Sequence, residues 1–423
     1  MAKIKVLRVA SDKSISHRAV MLSAISKKRV VIKNFLFAED TLNTIKAFLK
    51  LGVHIQTKGL DVIVNPNGKY GLKEPNDVIN MGNSGTGMRL LTGILSGFDF
   101  LSVLSGDESL RSRPMMRIVE PLSEMGAEIL YRKGGLAPLA IKGKNDLNGI
   151  YYKQNIASAQ VKSSILLAGL YSEEDVSIEE PVKSRNHTEN MLKFLGVDVK
   201  ESENLVSLGN TREPLGDCKI DVPADISSSA FFIVYAVLKG KFELVLKDVG
   251  LNKTRIGILD ILSKCNVNYE VINRTVKNNE PFGDLLVKST SSLKPFVIDK
   301  KNLPSLIDEI PILSVLAAYC DGVSVIKDAS ELRKKESDRI RAICENLGRV
   351  GVKTEEFEDG FKIYGSKNIK IKPAVIQTYK DHRIAMSFVI LSALADANLE
   401  IDDTQSIKTS YPGFFEHLDY MLS

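Results

Sequence analysis

Apolar positions spaced for a helix, then a glycine, then a small or β-branched residue opening an extended run, recur along the chain. The copies are Phe48-Leu49-Lys50-Leu51-Gly52-Val53, Leu122-Ser123-Glu124-Met125-Gly126-Ala127 and Leu192-Lys193-Phe194-Leu195-Gly196-Val197. Glycine suits the residue just past a helix end, where the backbone turns left-handed. A degenerate copy runs from Leu259 to Val267, with Cys265-Asn266 in place of the glycine, and another from Ile343 to Val352. A last helix, Phe414 to Leu422, ends the chain where a sixth copy would turn. Gly52, Gly126 and Gly196 lie 74 and 70 residues apart, and six units of that length account for the 423 residues. The period is too long for a solenoid and predicts six packed α/β units.

The segments between helices alternate or cluster β-branched residues: Ile4 to Val9, Val30-Val31-Ile32, Val62-Ile63-Val64, Lys219-Ile220-Asp221-Val222 and Phe242 to Leu246. Strand and helix therefore alternate throughout, which predicts an α/β (α+β) fold with sheets and helices packed together. Six units divide most simply into two similar domains of three. The break is marked by Asp221-Val222-Pro223-Ala224-Asp225-Ile226-Ser227-Ser228-Ser229, an extended, proline-containing piece running into a hydroxyl-rich helix start. It resembles Val9 to Ser14 in kind. With crossings at both places, the expected domains are 13–225 and 1–12 plus 226–423.

Composition narrows the class. Hydrophobic residues make up 44% and charged residues 26% of the chain, an ordinary globular balance. A net charge of +5 without long basic runs argues against nucleic acid as a partner. The longest apolar runs, Ala230 to Leu238 and Ile310 to Ala318, are too short for a membrane span of roughly 20 residues and read as buried helices. Cys218, Cys265, Cys320 and Cys344 are scattered, with no Cys-x-x-Cys pair, and no signal peptide is evident. The expected compartment is the cytoplasm.

Candidate chemistry lies at helix starts, where unpaired backbone N–H groups favour anions. Ser11-Asp12-Lys13-Ser14-Ile15-Ser16-His17-Arg18 is such a start, combining hydroxyls with two bases. Gly82-Asn83-Ser84-Gly85-Thr86-Gly87-Met88-Arg89 opens another, without the spacing of a dinucleotide or Walker loop. Ser109-Leu110-Arg111-Ser112-Arg113-Pro114 places two arginines before a helix expected to open at the proline. Ser158-Ala159-Gln160-Val161-Lys162 and Ser184-Arg185-Asn186-His187-Thr188-Glu189 repeat the device, each with a serine expected as cap. Five such starts argue for one anionic ligand pocket over five unrelated caps. Carboxylates join the bases in the second half. Asp308-Glu309 precede an apolar helix, Lys335, Glu336 and Arg339 are expected on one helical turn, and Asp381-His382-Arg383 open another apolar helix. Bases that hold an anion beside carboxylates that move protons suit acid/base chemistry on an anionic substrate.

With these residues in order, the chain resembles the 5-enolpyruvylshikimate-3-phosphate synthase family of enolpyruvyl transferases. The resemblance runs from Ser11 to Phe414. It is carried by Asp12 to Arg18, Gly82 to Arg89, Arg111 to Pro114, Ser158 to Lys162, Arg333 to Arg339 and Asp381-His382-Arg383. It implies two domains, each of three βαβαββ units, closing over an active site in the cleft between them. The implied reaction transfers the enolpyruvyl group of phosphoenolpyruvate to the 5-hydroxyl of shikimate 3-phosphate with release of phosphate. No metal or organic cofactor is implied, and the expected state is a monomer whose partners are these two small molecules, with neither nucleic acid nor membrane.

By the same resemblance, Lys13, Ser14, Arg18, Ser158, Ala159, Gln160, Arg185, Asp308 and Lys335 hold shikimate 3-phosphate. Phosphoenolpyruvate falls to Lys13, Asn83, Gly85, Thr86, Arg113, Gln160, Arg339 and Arg383. The catalytic set is Lys13, Asp308, Lys335 and Glu336: Asp308 accepts the 5-hydroxyl proton, and Glu336, next to Lys335, protonates the methylene carbon. Ala159 stands where many members have a second serine, Glu331 where some have Asn, and Lys408 lies one residue out of register with the family's Lys-Thr-Phe-Pro. Gly85, where glyphosate-tolerant members carry Ala, implies sensitivity to glyphosate. The sister enzyme acting on UDP-N-acetylglucosamine uses a loop cysteine in its first half, and no cysteine precedes Cys218. A non-catalytic binder of RNA ends or anionic polymers would leave Asp308 and Glu336 without purpose, and the chain has no tryptophan to stack on bases.

Overall fold

In the computed structural model, which describes residues 3–288, 290, 292–395 and 397–423, the five helix-to-strand junctions found in the sequence close in one way. Helix Glu39–Lys50 ends with Gly52 N–H donating to Leu49 O at 3.1 Å and Val53 N–H to Phe48 O at 3.0 Å. The same pair of bonds follows Met116–Glu124, His187–Phe194, Gly257–Lys264 and Arg339–Arg349. It satisfies carbonyls that would otherwise lack donors, and it needs a left-handed residue. Gly52, Gly126, Gly196 and Gly351 supply it with φ of +82°, +101°, +86° and +90°. In the degenerate copy Asn266 takes φ +67°, a conformation asparagine tolerates better than most residues.

Contacts divide the chain into two compact units. The first comprises Lys13–Val222 with Lys277–Glu280; the second comprises Met1–Asp12, Pro223–Val276 and Pro281–Ser423. The first contains three four-stranded sheets of one design. In one, Cys218–Asp221 runs parallel to Val30–Lys33, which is antiparallel to Asp61–Asn65, itself antiparallel to His54–Lys58. Ile79–Asn80, Leu101–Ser105, Leu136–Lys142 and Glu128–Arg132 repeat that order and sense, as do Ile150–Lys153, Val176–Glu179, Leu205–Leu208 and Val199–Ser202.

In the second unit Lys3–Leu7 runs parallel to Phe242–Gly250, followed in order by Glu280–Val287 and Tyr269–Lys277. Val297–Ile298, Gly322–Ile326, Gly360–Gly365 and Lys353–Phe357 form the next sheet. In the remaining repeat Ala374–Ile376 runs parallel to Leu399–Ile401, the two-stranded sheet being all that pairs there among the described residues, and helix Phe414–Leu422 follows.

Two strands do not pair with the sheet of the repeat that follows them in sequence. Lys3–Leu7 precedes helix Lys13–Ala24 yet pairs with Phe242–Gly250, while Cys218–Asp221 precedes helix Ile226–Lys239 yet pairs with Val30–Lys33. At the exchange Asp12 N–H donates to Pro223 O at 2.8 Å and Asp225 N–H to Ala10 O at 2.9 Å.

Each unit encloses its own apolar core. In the second, helices Ile226–Lys239, Ile310–Ala318 and His382–Leu394 pack on one another and are buried nearly all round. Their sequences are apolar on every face, which suits a helix surrounded by protein. In the first, Gly85–Leu95 packs closely on Ala159–Gly169 because Gly93 has no side chain: a Cβ there would lie 2.3 Å from Ser164 O.

Three local expectations are corrected. Lys335, Glu336 and Arg339 do not share a helical turn: Ser330–Lys334 is a 3-10 helix, Lys335 is extended, and the α-helix begins at Arg339 behind an Asp338 cap. Pro114 does not open a helix, because the α-helix starts at Met116, and Arg111 lies in a separate short helix, Glu108–Ser112. Ser184 is not a cap: helix His187–Phe194 starts behind Asn186, and the Ser184 hydroxyl donates to Glu180.

Candidate active site

Most candidate residues occur in two clusters, one in each unit. In the first unit, the starts of four helices are tied together by side chains. Arg18 is buried, and its Nε donates to Thr188 Oγ1 at 2.7 Å, Nη2 to Ser163 Oγ at 2.8 Å and Nη1 to Ser14 O at 3.0 Å. Helices Lys13–Ala24, Ala159–Gly169 and His187–Phe194 are thereby joined within their first two turns. Helix Gly85–Leu95 joins through Arg89, whose Nη1 donates to Gln160 Oε1 at 2.8 Å, and through Gln160 Nε2, which donates to Thr86 Oγ1 at 2.9 Å. Buried His17 bonds Thr44 Oγ1 through Nδ1 at 2.7 Å.

Two guanidinium groups converge on Gly85. A Cβ there would lie 2.9 Å from Arg89 Nη1 and 3.2 Å from Arg113 Nη1, so the missing side chain makes room for both. Arg113 is held from its other side, Nη2 donating to Asn83 Oδ1 at 2.6 Å, while Asn83 Nδ2 donates to Asp107 at 2.7 Å. Ser84 caps this helix by accepting from Gly87 N–H, and Ser158 caps its neighbour by accepting from Val161 N–H. Lys13 pairs with Asp40 at 2.9 Å. Convergent planar donors beside capped helix starts are an arrangement suited to small oxyanions.

The second unit's cluster surrounds Asp308. Its carboxylate lies 3.6 Å from Arg339 Nη1, 3.8 Å from Lys335 Nζ and 3.9 Å from Arg383 Nη2, and Arg383 Nη1 donates to the Asp308 carbonyl at 3.1 Å. Arg339 is 1% exposed; it donates through Nη2 to Glu336 at 2.7 Å and through Nε to Asp381 at 2.8 Å. Burial opposes its charge, but Asp381, Glu336 and Asp308 outweigh burial and hold the guanidinium above its ordinary pKa. Its Nη1 is buried without a hydrogen-bond acceptor among the described residues. Asp381 caps helix His382–Leu394, and although burial disfavours its charge, Arg339 keeps its carboxyl below the ordinary value. Glu336 lines a cavity of about 360 Å³ with Ser337, Asp338, Arg341, Ala342 and Tyr379, so it can be reached from outside.

The structure thus brings Ser14, Arg18, Asn83, Gly85, Thr86, Arg113, Ser158 and Gln160 into one linked set, with Lys13 and Ala159 at the ends of two of its helices. Asp308, Lys335, Glu336, Arg339 and Arg383 form the second set. Arg185 sits half-buried in the loop before helix His187–Phe194. Lys408 stands apart, exposed on the 3-10 turn Gln405–Thr409. Sequence reasoning placed Arg89 in a motif but gave it no ligand; its five-residue spacing from Ser84 was the available signal. Asp381 and His17 were likewise legible only as neighbours of bases, and Asp40, which has no base beside it in the sequence, meets Lys13 only in the fold. Lys162, the base of the Ser158 motif and given no ligand, is buried between Glu180 and Glu189. Cys344 and Cys218 are not poised for chemistry: burial pushes the Cys344 thiol up to about 12 and also raises Cys218.

Comparison with known proteins gives one family. Residues 3–418 match the model for EPSP synthase (3-phosphoshikimate 1-carboxyvinyltransferase). The chain is 46% identical to the 3-phosphoshikimate 1-carboxyvinyltransferase of Bacillus pumilus over 98% of its length and 96% of that protein. It is 47% identical to that of Thermodesulfovibrio yellowstonii over 97% and 95%. Among solved structures it is similar to an EPSP synthase from Acinetobacter baumannii, with TM-score 0.87 and 40% identity over 99% of this chain and 95% of that one. The enolpyruvyl transferase NikO from Streptomyces tendae shares the fold, with TM-score 0.78 at 16% identity, covering 99% and 94%.

Proposed function

The chain belongs to the family of EPSP synthases, 3-phosphoshikimate 1-carboxyvinyltransferases, and from that premise we propose how its residues divide the work. The reaction moves the enolpyruvyl group of phosphoenolpyruvate to the 5-hydroxyl of shikimate 3-phosphate and releases phosphate, a step of the shikimate pathway. Both substrates are multiply charged anions, so cations must offset charge before an oxygen nucleophile can approach.

Ser14, Arg18, Ser158, Ala159, Gln160 and Arg185 hold shikimate 3-phosphate, with Asp308 and Lys335 at its reacting end. Asn83, Gly85, Thr86, Arg113, Gln160, Arg339 and Arg383 hold phosphoenolpyruvate, and Lys13 contacts both. Asp308 takes the 5-hydroxyl proton as that oxygen bonds to C2 of phosphoenolpyruvate, and Glu336 delivers a proton to C3. In the second step Glu336 reclaims a methyl proton, the C2–O bond to phosphate breaks, and the enol ether forms. Glu336 gives one proton and reclaims one, and the 5-hydroxyl proton held by Asp308 passes to the departing phosphate, so both carboxylates return to their starting state. The observation that carries this reading is the Asp308 cluster: one carboxylate within 3.6–3.9 Å of three cations, one of them the buried Arg339 Nη1, which has no hydrogen-bond acceptor among the described residues.

Phosphate release with both substrates, each then omitted in turn, tests the reading; no release with both present overturns it. The reading includes a monomer in the cytoplasm, and a solution mass well above 46.7 kDa would count against the monomer. Among the described residues no helix is long and apolar enough to cross a membrane. Gly85 further implies inhibition by glyphosate, and robust turnover in high glyphosate with phosphoenolpyruvate limiting would refute that.

A further inference from the structure

The chemistry above leaves unused a fully buried ion cluster in the first unit. Lys162 has no exposed surface, and its Nζ lies 2.7 Å from Glu180 Oε2 and 2.7 Å from Glu189 Oε1, both carboxylates being almost completely buried. Three charges withdrawn from water are weak evidence for stability, since a well-packed apolar trio of similar volume is often as stable or more so. A function other than stability is therefore worth seeking in what the cluster holds.

It holds Ser184. The Ser184 backbone N–H donates to Glu180 Oε2 at 3.3 Å, its hydroxyl donates to Glu180 Oε1, and its carbonyl accepts from Lys162 Nζ at 3.4 Å. Every polar group of this residue ends on the cluster, and the next residue is Arg185. Glu180 precedes the loop and Glu189 lies in the helix that follows it, so one lysine grips the loop from both sides. Lys162 itself belongs to helix Ala159–Gly169, whose first turn carries Gln160 and whose cap is Ser158.

We propose that Lys162, Glu180 and Glu189 are positioning residues that hold Arg185 in register with the Ser158-capped helix start and so set the affinity for the phosphate of shikimate 3-phosphate. The inference rests on the assignment of Arg185 and Ser158 to that substrate. Burial opposes the charge on Lys162, but the two glutamates outweigh it and raise its pKa; at Glu189 burial outweighs Lys162 and raises the carboxyl.

Steady-state kinetics of Glu180→Gln, Ser184→Ala, Arg185→Ala and the double variant Glu180→Gln/Arg185→Ala test it. Ser184→Ala keeps all three charges and guards against a Glu180 variant that fails to fold. Loss of one charge-assisted contact in the grip is expected to raise KM for shikimate 3-phosphate about tenfold, with kcat and KM for phosphoenolpyruvate little changed. Because Glu180 acts through Arg185, Glu180→Gln should add nothing further once Arg185 is alanine. An additive effect in that background, or an equal rise in both KM values, would overturn the proposal. So would a raised KM in Arg185→Ala with unmoved values in both Glu180→Gln and Ser184→Ala. An unmoved KM in Arg185→Ala would instead refute the assignment of Arg185 itself, and the proposal with it.

Discussion

Replacing Gly85 by alanine adds one methyl group where two arginines meet. The new Cβ would sit 2.9 Å from Arg89 Nη1 and 3.2 Å from Arg113 Nη1. An ordinary contact is about 3.5 Å or more, so the two groups must retreat by about 0.6 and 0.3 Å. Arg89 Nη1 donates to Gln160 at 2.8 Å, and that added distance takes the bond to the edge of useful geometry. A charge-assisted hydrogen bond is worth roughly 1.5–3 kcal/mol, so the expected rise in KM for phosphoenolpyruvate is about ten- to a hundredfold. The fold should survive, because only the flexible tips of side chains are displaced and alanine favours a helix over glycine by up to about 1 kcal/mol.

Gly93→Ala, eight residues along the same helix, is the control. There the Cβ would lie 2.3 Å from the backbone oxygen of Ser164, and a neighbouring helix has to move. Overpacking of this kind costs about 1–3 kcal/mol or more, so the melting temperature should fall. The assay is KM for phosphoenolpyruvate at saturating shikimate 3-phosphate, with a thermal melt of each variant. If Gly85→Ala left KM unchanged, or melted lower than Gly93→Ala, the two arginine tips would not define an anion site.

Glu336→Gln and Lys13→Met should each cut turnover by at least about a hundredfold, and near-normal rates would mean the roles are misassigned. Asp381 titrates below its ordinary value because Arg339 outweighs burial, so its stabilising contribution is present above about pH 4 and lost as pH falls through the depressed folded value. The stability gap between wild type and Asp381→Asn, read from urea midpoints, should therefore be widest near neutrality and close in acid; a gap constant with pH would refute this. Lys408 is exposed and out of the family register, so Lys408→Ala should hold kcat within about twofold, and a hundredfold loss would return Lys408 to the catalytic set.

Caps formed by side chains adjacent in sequence were readable: Ser84, Ser158, Asp225 and Asp381 each accept from an N–H two or three residues on. Ser184 has the same composition around it and was misread, because a buried glutamate four residues earlier competes for its hydroxyl. Lys335 to Arg339 was misread for a related reason. The spacing fits a helical turn, but Asp338 captures the N–H of Arg341 and starts the helix later. Lys162 was legible as the base of a helix-start motif; that it is a buried partner of two glutamates depends on solvent exposure and not on neighbours in the chain.

The sequence by itself determined the repeat, its count and the turn that ends five of the helices, because these depend on residues within a few positions of one another. A left-handed backbone selects glycine or asparagine, and an apolar period selects a helix. It also ordered the motifs that carry the family resemblance. Tertiary structure alone decided partners distant in the chain: that Lys3–Leu7 lies beside Phe242–Gly250, that Cys218–Asp221 lies beside Val30–Lys33, and that Arg89 and Arg113 share the space over Gly85. Such choices are made by packing and burial among residues tens to hundreds of positions apart, and no local propensity records them.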